Sequence, residues 1–258
     1  MLNLITNIYQ YLYGLAVNVF NSLYLVYFLQ KQSFKHLRLH FKMLLIIFIK
    51  YMLNKSFYKK LLIDLKSLKK SKNSERLFIF GCGGSINEIN DEAWKEINKY
   101  DSIGFNGTFH LEKVNFTFKI LRGGTEDPAI EDDNKLKDEI IYAKYLMNKI
   151  NKNKFLKKTI FLFSSGFSQH FPNLLIGYKL WNNWNSIYQY NTNKIDYYPR
   201  GNSLHRGLIH KNGTLVDALT FGYYMGYKEI VLIGVDLYDN QYFWVPKGKT
   251  VKYSKQHK

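Results

Sequence analysis

The segment 76-RLFIFGCGGSINEI-89 decides how the rest of the chain is read. Apolar residues Leu77 to Phe80 run into a turn of Gly81, Cys82, Gly83, Gly84 and Ser85, and a helical pattern follows from Ile86. A strand delivered through glycines to a helix start presents backbone N–H groups to an anion. Glycine removes the Cβ that would hold a ligand off, and the helix dipole favours negative charge. On this reading Ser85 caps a helix beginning at Ile86. The turn is not the dinucleotide fingerprint, since Ile86 stands where a sixth-position Gly or Ala belongs.

Outward from this segment, short apolar runs alternate with polar helical stretches. "SIGF" (102–105), "FTFKIL" (116–121), "TIFLF" (159–163) and "EIVLIGV" (229–235) read as buried strands. "INEINDEAWKEINKY" (86–100) and "DDNKLKDEIIYAKYLMNKI" (132–150) carry helical periodicity. The expected fold is α/β: a mostly parallel, Rossmann-like nucleotide-binding sheet over residues 76–258. Ligands of such sheets bind beyond the carboxyl ends of the strands, so site residues should directly follow the apolar runs.

Residues 1–75 have another character. Positions 2–30 hold no charged side chain and are long enough to cross a bilayer, but asparagines and tyrosines interrupt them. From Lys31 to Lys72 bases alternate with Leu, Ile and Phe, and Asp64 is the sole acid. This arm is expected to be helical, basic and membrane-facing, peripheral or single-span, on the cytoplasmic side. A helical hairpin packed on its own protein is the competing expectation. The stretch "KKSKNSE" (69–75) reads as a linker. The net charge of +17 is concentrated in this arm rather than spread over the α/β region, and no zinc-finger or zipper spacing occurs, so nucleic acid is not an expected partner. A single cysteine, Cys82, rules out an intramolecular disulfide framework.

Three further points carry chemistry. Asn106, after "SIGF", offers an amide to a base, ribose or phosphate. Asn212-Gly213-Thr214 opens a helix over 215–224, which Gly226 ends. Asp236, Tyr238 and Tyr242 follow the last strand, where Asp236 either orients a sugar or loop or satisfies backbone N–H groups.

The segment 213–244, above all "GYKEIVLIGVDLYDNQYFW", together with "GCGGSINEI" and "FNGT", resembles the bacterial sialyltransferases of the Campylobacter type. The resemblance spans roughly residues 77–258. It implies a CMP-sialic-acid-dependent glycosyltransferase on one nucleotide-binding α/β domain, often membrane-associated. Position by position, it implies that Gly81, Gly83, Gly84 and Ser85 face the nucleotide and that Asn106 contacts nucleotide or ribose. Asn212 and Gly213 would lie at the cytidine and phosphate side of the second helix, and Thr214 and Asp236 are further candidates for nucleotide contact. Tyr238 and Tyr242 match two tyrosines on the departing phosphate, and His257 stands where the family has its general base. Members of the family continue beyond that histidine, so the chain is expected to be truncated at its C-terminus. His170, His205 and His210 are weaker base candidates, and Arg200, Arg206 and Lys211 are cations of a loop suited to donor or acceptor contacts.

The expected reaction is therefore inverting and metal-independent, with a CMP-activated sugar as substrate, no cofactor, and a glycan or lipid-linked acceptor at a membrane surface. Self-association through the aromatic-rich arm is compatible with this reading. Two alternatives stay open. The strand "GYKEIVLIGVDL" also resembles 6-hydroxymethylpterin pyrophosphokinases, which use ATP and Mg²⁺; Asp236 with Asp239, or Glu126 with Asp127, would then hold the metal. A noncatalytic, membrane-bound nucleotide-binding protein is the other.

Overall fold

The structure is a computed structural model that describes residues 34–122, 135–165, 170–182, 185–193, 204, 207–210, 213–236 and 241–246. Seven strands form one sheet: β1 (Arg76–Phe80), β2 (Asp101–Gly104), β3 (Phe118–Leu121), β4 (Ile160–Ser165), β5 (Ile187–Asn193), β6 (Leu208–Ile209) and β7 (Glu229–Ile233). Their order is β6-β5-β4-β3-β2-β1-β7, and every pairing is parallel. The helices are α1 (Phe34–Asn54), α2 (Leu65–Lys70), α3 (Asp91–Ile97), α4 (Lys135–Lys152), α5 (His170–Gly177) and α6 (Thr214–Tyr224). The expected α/β class and parallel sheet are thus what the chain adopts.

Alternate residues of each strand feed two cores, as the period of two demands. Phe78, Phe80, Phe161 and Phe163 pack on one face with α1, α3, α4 and α5. Leu77, Ile79, Ile103, Phe118 and Leu162 pack on the other with α2 and α6. Burial on both faces explains why these strands read as unbroken apolar runs. β5 and β6 were not anticipated from the sequence. β5 is "IYQYNTN", whose polar residues hide it, and β6 has two residues.

The arm is part of this architecture. Met43 and Ile47 of α1 are buried in the first core, which α5 shares, and Leu68 of α2 is buried in the second. Among the described residues no helix is long and apolar enough to cross a membrane. Residues 2–30 lie outside those described. The expected linker is in fact a tied strap. Asp101 accepts from the Asn73 and Ser74 N–H groups at 2.7 and 3.0 Å, and Lys72 donates to the Gly226 carbonyl at 2.7 Å. The buried Tyr227 hydroxyl donates to the same Asp101 at 2.8 Å. The strap closes the amino end of the sheet and leaves the carboxyl end to the loops.

The chain order sets the place of the site. From β1 the sheet grows in one direction through β6, and then α6 carries the chain back to lay β7 on the other side of β1. β1 is therefore flanked by β2 on one side and by β7 on the other, the switch point at which the strand order reverses.

Candidate functional site

The β1 and β7 loops meet at this switch point. Gly81 N–H donates to the Ile233 carbonyl and Gly83 N–H to that of Gly234, both at 2.8 Å. Gly83 then forms an isolated antiparallel bridge with Tyr242, and Phe243 N–H donates to the Cys82 carbonyl at 3.1 Å. Gly234 turns the chain at φ +63°, a conformation that favours glycine. The two segments singled out in the sequence are thus joined at one rim of the sheet.

What fills the glycine turn differs from expectation. The Asp236 carboxylate accepts from the Ser85 N–H at 2.9 Å and from its hydroxyl at 2.5 Å. Ser85 does not cap a helix. Residues Gly84–Glu88 form a 3-10 turn whose cap position is Gly83, and the α-helix begins later at Asp91, capped by Asn90, whose side chain accepts from Ala93 N–H at 2.9 Å. The glycines admit the chain's own segment. A Cβ on Gly83 would come within 2.2 Å of Asp236 Oδ2, and one on Gly81 within 2.3 Å of the Gly234 carbonyl. The turn attracts an anion, as its N–H groups predict, and that anion is the carboxylate of Asp236. Of the two roles open to Asp236 in the sequence, this is the second.

Aromatic and polar groups gather at the rim. Tyr242, half-buried, stacks on Trp244 with ring centroids 4.8 Å apart, and Trp244 stacks on His110 at 5.2 Å. Gly107 allows this, since a Cβ there would lie 2.2 Å from the Trp244 ring. Burial, with the positive charges of Lys149 and Lys119, pushes the His110 pKa down to about 4, so its ring is neutral near pH 7. Asn106 is exposed after β2 at φ +48°, a left-handed conformation uncommon for any residue but glycine and best tolerated by Asn and Asp. Beneath the rim Lys119 of β3 is fully buried between the Phe109 and Phe116 rings, and its ammonium donates to Thr108 Oγ1 at 2.5 Å. Burial lowers its pKa to about 7. Burial likewise raises the Cys82 thiol to about 11, which keeps it protonated.

A second group stands on the same carboxyl edge, and only one of its members, His210, stands out in the sequence. Asp217, in the first turn of α6 and fully buried, binds three partners. Arg122, just after β3, lies 2.8 Å from its Oδ2, and His210 Nδ1, just after β6, lies 2.9 Å from its Oδ1. Tyr190 of β5 donates to Oδ2 at 3.4 Å. The Tyr190 phenol pKa is raised by burial and by the adjacent carboxylate. A carboxylate on Nδ1 fixes the imidazole orientation and leaves Nε2 on the opposite side of the ring. In the strand order the first group follows β1 and β7, whereas Arg122, Tyr190 and His210 belong to the β3, β5 and β6 side of the sheet. Gly213 and Thr214, at the start of α6, stand between His210 and Asp217 in sequence, and a Cβ on Gly213 would meet nothing within 4 Å.

Tyr238, Asn212 and His257 lie outside the described residues, as do Asp239, Glu126, Asp127, His205, Arg200, Arg206 and Lys211. Asp236, one proposed metal carboxylate, is committed to Ser85. Among the described residues no three or more His, Cys, Asp or Glu side chains gather as a metal site. A shallow recess of about 700 Å³, lined by Asp64, Leu65, Lys66, Lys69 and Lys70, shares no residue with this edge. Its volume therefore does not mark the chemistry. No protein-family model matches the sequence, and no curated protein matches it at a significant level.

Proposed function

We propose that the protein transfers sialic acid, or a related sugar, from a CMP-activated donor to a hydroxyl of a surface glycan at a membrane. The observation that carries this reading is the Gly83–Tyr242 bridge, which holds a phenol at the switch point of a doubly wound sheet. The resemblance of "GCGGSINEI" and of 213–244 to the CMP-sialic-acid enzymes supplies the donor class.

The chemistry follows from the groups at the edge. The acceptor oxygen forms a bond to the sugar's anomeric carbon while the bond from that carbon to the phosphate oxygen breaks. CMP leaves with the electron pair, and the acceptor's proton passes to a base. The Tyr242 hydroxyl, with that of Tyr238, donates to the phosphate as its charge grows. A hydrogen bond to an ion is worth about 1.5–3 kcal/mol, and only the part gained in the transition state counts. Among the described residues the base best arranged is His210, oriented by Asp217 and receiving the proton at Nε2. His257 holds that role in the resemblance. With phenols taking the phosphate charge, the step needs no metal. Asn106 and the Tyr242–Trp244–His110 stack offer the amide and apolar faces that a cytidine needs.

CMP release from CMP-sialic acid, followed with and without an acceptor glycan, tests the reading. Acceptor-dependent release without added metal supports it. No CMP release, whether ATP with Mg²⁺ is turned over instead or neither nucleotide is consumed, overturns it.

A further inference from the structure

The two sides of α1 meet opposite surroundings. Met43 and Ile47 are buried in the core shared with α5, whereas Leu45, Ile49, Met52 and Leu53 are 40, 50, 45 and 73% exposed. Phe57, in the 3-10 turn that follows, is 68% exposed. At about 100° per residue, Leu45, Ile49 and Met52 share one narrow sector opposite Met43 and Ile47, with Leu53 at its margin. These five are most of the large apolar side chains exposed among the described residues.

The charged residues of this segment are all basic. Lys42, Lys50, Lys55, Lys59 and Lys60 are exposed on the same segment, and the Lys179 ammonium lies over the Phe57 ring at 5.6 Å. The chain has no Asp or Glu before Asp64. An apolar strip flanked on its own segment by lysines and by no acid matches a surface that is apolar inside and anionic at its rim.

We propose that this face of α1 and the following turn docks on an anionic lipid surface. Leu45, Ile49, Met52, Leu53 and Phe57 enter the acyl boundary, while the lysines lie at the phosphate level. The long lysine stems let the ammonium groups reach that level from an apolar strip. The inference deepens the membrane part of the proposed function. It rests on residues remote in sequence from the transfer site, so the two fail separately.

The test is co-sedimentation of the full chain with phosphatidylcholine vesicles, pure or containing about 30% phosphatidylglycerol, the fraction that makes the surface strongly anionic. The parent should partition at least about tenfold more onto anionic vesicles and lose most of that preference at high salt, because screening shortens the attraction. Leu53→Glu with Phe57→Glu, at exposed positions, should keep the parental melting temperature and CMP binding and lose vesicle binding about tenfold or more. Lys59→Gln with Lys60→Gln should weaken binding to anionic vesicles only. Equal binding to both vesicle types, or parental binding by the Glu variant, overturns the proposal. So does a dimer-to-monomer change in the Glu variant with vesicle binding intact, which would assign the face to a second copy.

Discussion

Asp236 closes on Ser85 across 151 residues of sequence, taking its amide at 2.9 Å and its hydroxyl at 2.5 Å. Charge-assisted bonds of this kind are about twice as strong as neutral ones. Ser85→Ala, which removes the hydroxyl bond, is expected to cost about 1–2 kcal/mol in urea unfolding. Gly83→Ala is expected to cost more, because its Cβ must push Asp236 off Ser85. Gly213→Ala meets nothing within 4 Å at an extended backbone and should leave stability nearly unchanged.

Tyr242 is joined to the turn through its backbone, so removing its hydroxyl leaves the bridge in place. Tyr242→Phe should therefore slow turnover by about 10–100-fold, as expected for a lost hydrogen bond to a developing charge, while CMP affinity changes little. Steady-state kinetics beside CMP titration separate the two quantities. Equal turnover in variant and parent removes the phenol from the mechanism.

His210 and Asp217 make different predictions. His210→Asn should lower acceptor-dependent transfer by about 10²–10⁴-fold, the usual worth of a general base. Asp217→Asn strands the Arg122 guanidinium beside a neutral amide, so a loss of stability of about 3–5 kcal/mol should accompany the loss of activity. Parental transfer rates in His210→Asn, with His257→Asn inactive, move the base to His257.

Lys119 and His110 give the fold a pH dependence with a definite sign. Each binds protons less readily in the folded chain than in the unfolded one, so stability rises with pH between the folded and unfolded values. For His110 that window runs from about 4 to 6.5, and for Lys119 from about 7 to 10.5. Lys119→Met should stabilise the protein by a few kcal/mol at pH 7, where a tenfold change in proton affinity is worth about 1.4 kcal/mol. The gain should shrink as pH approaches 10. Urea midpoints of parent and variant from pH 4 to 10 check both windows.

The central strands were legible because burial on both faces leaves apolar runs such as "LFIF", and the edge strand β7 shows its own apolar run, "IVLI", although it is only partly buried. β5 escaped because Gln189, Asn191, Thr192 and Asn193 break its run, and its place is set by pairing with β4. The convergence of the glycine turn with Tyr242 was readable, since both follow strands. What fills the turn was not, because Asp236 looks the same whether it meets a ligand or Ser85. Arg122, His210 and Asp217 come from three separate elements, and Asp217 reads in sequence as an ordinary first-turn acid. The alternation of lysine and leucine in the arm indicated an amphipathic helix. Which apolar stripe is buried depends on α5, more than a hundred residues away in sequence.

The central claim is that the edge where the β1 and β7 loops cross receives CMP. Amide hydrogen exchange of the full chain with saturating CMP tests it most directly. Slower exchange in 81–85, 106–110 and 241–246, with no such change on adding ATP and Mg²⁺, is the predicted result. Unchanged exchange in all three segments, or protection elsewhere in the chain alone, contradicts it.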